Sequence, residues 1–146
     1  MAQLRVAVTE APAATRPRHD SLFGGIGKPE VYLYGSHFLS GFLNEKPLAK
    51  LRTELDALGL TRDDSMSETE DHFAYLCEVM RYLIAGDDVA VANLTRQREF
   101  FSNHIQPWVL MCDDLQKHPK ANFYAAVAEL TRAFMGLETQ GFDMLA

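Results

Sequence analysis

Apolar positions recur every three or four residues along most of this chain, and no stretch sustains the alternation of a half-buried strand. Phe38, Leu39, Phe42 and Leu43 form the first apolar face and predict a helix over roughly 32–44, although Gly35 and Gly41 lower its propensity. Pro47 suits the opening position of a second helix, in which Leu48, Leu51, Leu55 and Leu58 repeat before Gly59 stops it. Ser67 and Glu70 have the spacing of a capping box. They predict a third helix with Phe73, Leu76, Cys77, Met80, Leu83 and Ile84 on one stripe and Gly86 at its end. A fourth runs from about Asp88 to His104, with Leu94, Phe101 and Ile105 along one side. Pro107 opens a fifth, carrying Trp108, Leu110 or Met111, and Leu115. Asn122 is placed to cap a sixth, whose core face is Phe123, Val127, Leu130 and Phe134. The pattern predicts an all-α bundle with short loops.

The ends and gaps of the pattern organise the rest. Residues 1–20 include the Ala/Pro/Thr-rich stretch AVTEAPAATRPRH, where Pro12 and Pro17 are expected to break any helix. They read as a flexible arm ahead of one helical domain over 21–146. A chain of 146 residues suffices for a domain with a real core. The segment SLFGGIGKPE reads as a loop. No apolar run approaches the roughly 18 residues that span a bilayer. No basic segment leads into an apolar one at the N-terminus, so the expected location is cytoplasmic.

Charge changes this picture more than composition does. The chain has 14 Lys+Arg against 20 Asp+Glu, a formal −6, which argues against nucleic acid as the main partner. Arg62–Glu78 holds Asp63, Asp64, Glu68, Glu70, Asp71 and Glu78 against one arginine, so −5 of the balance lies around the start of the third helix. Carboxylates there complement the helix dipole at about 0.3–1 kcal/mol each. Two or three suffice for that purpose, and the surplus suits a cationic ligand or peptide.

Other chemistries find little support. None of His19, His37, His72, His104 and His118 has a Glu three residues before it, as a di-iron bundle requires, and no HExxH occurs. No metal or other cofactor is expected. GGIGKP fails the phosphate-loop pattern twice, at Pro29 and at Leu22, where the first Gly belongs. Cys77, on the apolar stripe, is expected to be buried, and Cys112 stands beside Asp113 and Asp114, so neither makes a good thiolate.

The run Glu68-Thr69-Glu70-Asp71-His72, opening into FAYLCEVMRYLI, resembles the E-P-x-D-H signature of the TorD/DmsD/NarJ family of redox-enzyme maturation chaperones. Tyr34-Gly35-Ser36, followed by HFLSGFLNEKPLAKLR, is similar to that family's aromatic-Gly/Glu-Ser motif. QREFFSNHIQPW resembles its later helix-to-helix corner. The resemblance covers about residues 20–145. Thr69 stands where the family has Pro. Relatives usually carry further helices ahead of this segment, so the expectation is either a truncated start or a bundle that lacks part of the usual set.

The resemblance implies an all-helical, non-enzymatic cytoplasmic chaperone. Such a chaperone binds the twin-arginine leader or the apo form of a molybdopterin-dependent oxidoreductase precursor and assists cofactor insertion before export. The wording of residues 23–52 is closer to the formate-dehydrogenase-associated type. Asp71 and His72 carry over as the functional pair, with Glu68 and Glu70 next, and Tyr34 and Ser36 shape the neighbouring pocket wall. Tyr34, Phe38, Phe73, Tyr75 and Trp108 are candidates for an apolar groove, or for plain core. Faces left bare by missing helices predict a homodimer, with helix exchange as one route. A small nucleotide-binding or hydrolytic protein using Asp71 and His72, and a structural helical subunit, are the competing readings.

Overall fold

The computed structural model describes residues 12–24, 27–43 and 45–145; residues 1–11 of the expected arm lie outside them. The described residues form helices α1 (Pro12–Phe23), α2 (Gly35–Ser40), α3 (Lys46–Ala57), α4 (Phe73–Ala85), α5 (Leu94–Phe100), α6 (Val109–Lys117) and α7 (Phe123–Asp143). The fold class is all-α, as the periodicity predicts. The only extended pairing among the described residues is one antiparallel bridge, Tyr34 to His72.

Two compact units emerge, one drawing on the described residues up to Tyr32 and from Val109 onward, the other on those from Leu33 to Trp108. In the first, α6 packs along α7, and its buried side chains include Leu22, Val31, Met111, Cys112, Leu115 and Met135. Lys120 and His118 both reach Glu30, at 2.6 and 3.0 Å. In the second, α2 packs on α3 and α4 on α5. Leu48, Leu51 and Leu55 of α3 are buried there, as are Leu76 and Leu83 of α4 and Phe100, Phe101, Ile105 and Trp108 beyond.

Several expectations are corrected. Residues 12–23 are helical despite Pro12 and Pro17. A proline at the first helical position costs nothing, because its missing N–H would be unbonded anyway. Pro17 does forfeit an interior bond, but Leu22, 0% exposed, ties the end of the helix into its unit. The first predicted helix shrinks to α2, stopped by Gly41 at φ 78°. The fourth begins at Leu94, capped by the Asn93 side chain on the Arg96 N–H, and its end widens into a π turn over Phe101–Ile105. Leu94 itself is exposed. The buried face of α7 is Ala128, Met135 and Phe142, whereas Leu130 and Phe134 face solvent. The expected and the buried stripes are offset by one residue, roughly 100° around a helix of 3.6 residues per turn, and the exposed stripe is the more apolar one. Cys77 is exposed rather than buried.

His104 is 6% exposed, with its Nε2 2.7 Å from a Glu54 carboxylate oxygen. Burial pushes its pKa below the usual 6.5, and Glu54 offsets this only in part. The folded chain therefore holds the imidazole neutral, and an unfolded chain binds the proton first as pH falls. Melting temperature is expected to drop between about pH 7 and about pH 5, and His104→Gln to flatten that drop, as circular dichroism melts will test. At Gly86 an added Cβ would stand 2.8 Å from the Tyr82 carbonyl oxygen and 3.1 Å from Ala92. Gly86→Ala is expected to cost about 1–3 kcal/mol in denaturant titrations.

Candidate functional site

The second unit carries all seven residues singled out in the sequence. Its centre is a short antiparallel pairing of two segments some 35 residues apart. The Gly35 N–H donates to the Asp71 carbonyl at 2.9 Å, and the Phe73 N–H to the Leu33 carbonyl at 3.0 Å. These two bonds bracket Tyr34 and His72 as a non-hydrogen-bonded pair, the geometry in which opposed side chains lie closest. The Tyr34 and His72 rings accordingly meet edge to face at 5.4 Å. Pairing also explains why the capping box does not form. Extended backbone at His72 (φ −65°, ψ 136°) delays α4 to Phe73. Ser67 bonds its neighbour Glu68 instead, and no acid lies in the first turn of α4.

Asp71 is 3% exposed. Its carboxylate accepts the Ser36 N–H at 2.8 Å and the Thr69 hydroxyl at 2.6 Å. The N-cap residue of α2, Tyr34, makes no side-chain cap bond. Asp71 thus caps α2 from another part of the chain, and Ser36, 1% exposed, supplies the N–H that it needs. His72 caps α4 in turn: its Nδ1 accepts the Ala74 N–H at 3.2 Å. That bond makes Nδ1 an acceptor and leaves Nε2 as the nitrogen able to carry a proton. Tyr75 follows one turn on, its ring 5.7 Å from His72.

The two glutamates point to different partners. Glu68 accepts the Tyr34 hydroxyl. Burial first, then that bond and the glutamate's charge, push the phenol up to about 12. Glu70 turns toward α3, where Arg52 donates to it at 2.8 Å, and Arg62 of the following loop stands at 4.0 Å. Burial pushes the Glu70 carboxyl up, but the Arg52 bond and the two positive charges outweigh it and hold it below the usual range. Arg62 also donates to the Met66 and Glu68 carbonyls at 2.5 and 3.3 Å, which pins the acidic loop.

A cavity of about 280 Å³ opens beside this network. Leu55, Leu60, Met66, Val79 and Tyr82 supply apolar walls, and Glu70 and Tyr75 line it among the predicted residues. Asp63, Glu78, Arg62 and Arg81 stand at its polar side. Tyr34, Ser36, Glu68, Asp71 and His72 do not line it; they hold the loop that bounds it. Half-buried Phe38 and Phe73 flank Trp108, with ring centroids at 5.4 and 4.6 Å, and Trp108, 1% exposed, is core rather than groove. Arg52, Leu60 and Tyr82 went unpredicted. No sequence signal pairs Arg52 with Glu70 across eighteen positions.

Among the described residues no group of three or more His, Cys, Asp or Glu is disposed to hold a metal ion. No described helix is long and apolar enough to cross a membrane. Burial first, then Asp113, pushes the Cys112 thiol up to about 11.

Residues 3–113 match the family described as "Nitrate reductase delta subunit". A Vibrio cholerae protein named "Chaperone protein TorD" is 27% identical over 112 residues, covering 72% of this chain and 51% of that protein. Its namesake from Vibrio parahaemolyticus is 24% identical over 115 residues, covering 73% and 54%. The chain therefore spans about half the length of the curated relatives that it matches. No solved structure matches it.

Asp71→Ala leaves the buried Ser36 N–H without its acceptor, which is expected to cost about 1–3 kcal/mol. Thermal melts monitored by circular dichroism test this. Unchanged stability would remove Asp71 as the cap of α2.

Proposed function

This chain belongs to the nitrate reductase delta subunit family, the TorD/NarJ chaperones, and on that footing we propose that it is a cytoplasmic maturation chaperone for a molybdopterin-dependent oxidoreductase. It binds the twin-arginine leader of the precursor and holds the apo form until the cofactor is inserted. Its own chemistry is binding rather than turnover. The client is of the formate-dehydrogenase type, and the working form is a homodimer.

The observation that carries this reading is the cavity beside the acidic loop. A twin-arginine leader offers adjacent guanidiniums followed by an apolar stretch. Guanidiniums pair bidentately with carboxylates, and Asp63, Glu70 and Glu78 border the same cavity as Leu55, Leu60, Met66 and Val79. At about 280 Å³ the space sits at the lower edge of ligand pockets, near roughly 300 Å³. It suits side chains of a segment lying across it. The Glu70 carboxylate, held ionised by Arg52 and Arg62, is ready to exchange one arginine for another. Asp71 and His72 act here by positioning: they set the loop and the start of α4 from which Glu70 and Tyr75 project.

Calorimetry with twin-arginine leader peptides from the molybdoenzymes of the same genome tests the proposal. Wild type is expected to bind at least one leader. Glu70→Gln is expected to weaken it roughly ten- to a hundredfold, the value of one charged hydrogen bond. Melting curves of Glu70→Gln, Asp71→Asn and His72→Ala separate lost binding from lost fold. Failure of every leader to bind the folded wild type overturns the proposal.

A further inference from the structure

The Arg52–Glu70 ion pair has a cavity at each end. Glu70 lines the one beside the acidic loop. Arg52 lines a second, of about 530 Å³, together with Glu45, Lys46, Leu48, Ala49 and Thr69. The two partners are held unequally. The Glu70 side chain is 14% exposed, whereas that of Arg52 is 51% exposed and reaches it from α3 through Nη2 at 2.8 Å. Arg62, the other cation near Glu70, donates to the Met66 and Glu68 carbonyls and so forms part of the loop itself. Arg81 at the cavity's polar side pairs with Glu78, and both of these are well exposed. Of the two cations near Glu70, Arg52 is therefore the one able to leave it.

We propose that Arg52 is an internal occupant of the leader site: in the free chain its guanidinium holds Glu70, and an incoming peptide guanidinium takes its place. The inference rests on the leader-binding reading and adds to it a residue that restrains binding. Two features favour exchange over simple addition. A carboxylate so little exposed is costly to leave unpaired, and an exchange of one guanidinium for another keeps Glu70 paired in both states. Arg52 also has somewhere to go. Glu45, Leu48, Ala49 and Arg52 are spaced i, i+3, i+4 and i+7, so they share one face of α3. Long side chains of a helix lean toward its N-terminus. Glu45 stands at that end of α3, and its side chain makes no cap bond. The displaced guanidinium turns along the second cavity toward this carboxylate. The resident pair thus lowers the apparent affinity for a peptide in proportion to the fraction of chains in which Glu70 is open. A patch rich in carboxylates is thereby kept from binding every passing cation.

Calorimetry of the full chain with the same leader peptides gives the test, with melting curves to show that each variant is folded. Arg52→Gln is expected to bind about three- to tenfold more tightly than wild type, the opposite of what loss of a structural contact gives. Arg52→Lys keeps the charge but not the planar fork, and its affinity is expected to fall between the two. Lys50→Gln removes a positive charge from the same helix, where Lys50 pairs with Glu54 at 3.6 Å. It is expected to change the affinity less than about twofold, because an exposed charge is screened. In a Glu70→Gln background the gain from Arg52→Gln is expected to vanish, since the pair is already broken there. Equal or weaker binding by folded Arg52→Gln, a gain that persists without the Glu70 carboxylate, or an equal gain from Lys50→Gln overturns the role of Arg52 and leaves leader binding in place. Absence of binding by wild type and Arg52→Gln alike overturns both.

Discussion

The second unit depends on one buried carboxylate. Helix α2 has six residues, far too few to persist in isolation, and its own N-cap side chain makes no cap bond. Asp71 supplies that bond from 35 positions away, while its carbonyl accepts the Gly35 N–H. With those two contacts made, the register of the pairing follows, and Tyr34 is set opposite His72. His72 then starts α4 and stands against Tyr75. The first link pairs the buried Ser36 N–H, which would otherwise lack a partner. The motif is thus a structural knot first, and its placement beside the cavity is what connects it to binding.

The charge balance also takes on a different meaning. A patch of −5 suggests open carboxylates waiting for a cation. Most of these carboxylates are engaged: Glu68 by Tyr34, Glu70 by two arginines, Asp71 inside the core, Glu78 by Arg81. A cationic peptide bound there displaces internal partners. Net attraction is smaller than the formal charge implies, and the geometry of the incoming guanidinium counts for more.

Helix content was legible because it rests on local periodicity and punctuation. Leu48, Leu51 and Leu55 fall on the buried face as expected, and Gly41, Gly59 and Gly86 all stand at helix ends. Long-range constraints were not legible. Ser67 and Glu70 have the spacing of a capping box, yet pairing across 35 residues takes the backbone they would need. On α7 the more apolar stripe looked like core, because periodicity identifies a face without saying what covers it. The seven candidate residues do share one unit, but their division into loop-holding and cavity-lining groups follows from Arg52, whose relation to Glu70 exists only in three dimensions.

Trp108 is the only tryptophan of the chain. It is buried between Phe38 and Phe73, and its indole N–H has no hydrogen-bond partner among the described residues. It also lies close to Gly35 and Asp71. The molecule therefore contains its own optical reporter. An indole in so dry and unbonded a setting emits at short wavelength, and any loosening of the Asp71 pairing admits water and shifts the emission to the red. The integrity of the motif can be followed by fluorescence in the unlabelled protein, at concentrations low enough to separate events inside one chain from association between two.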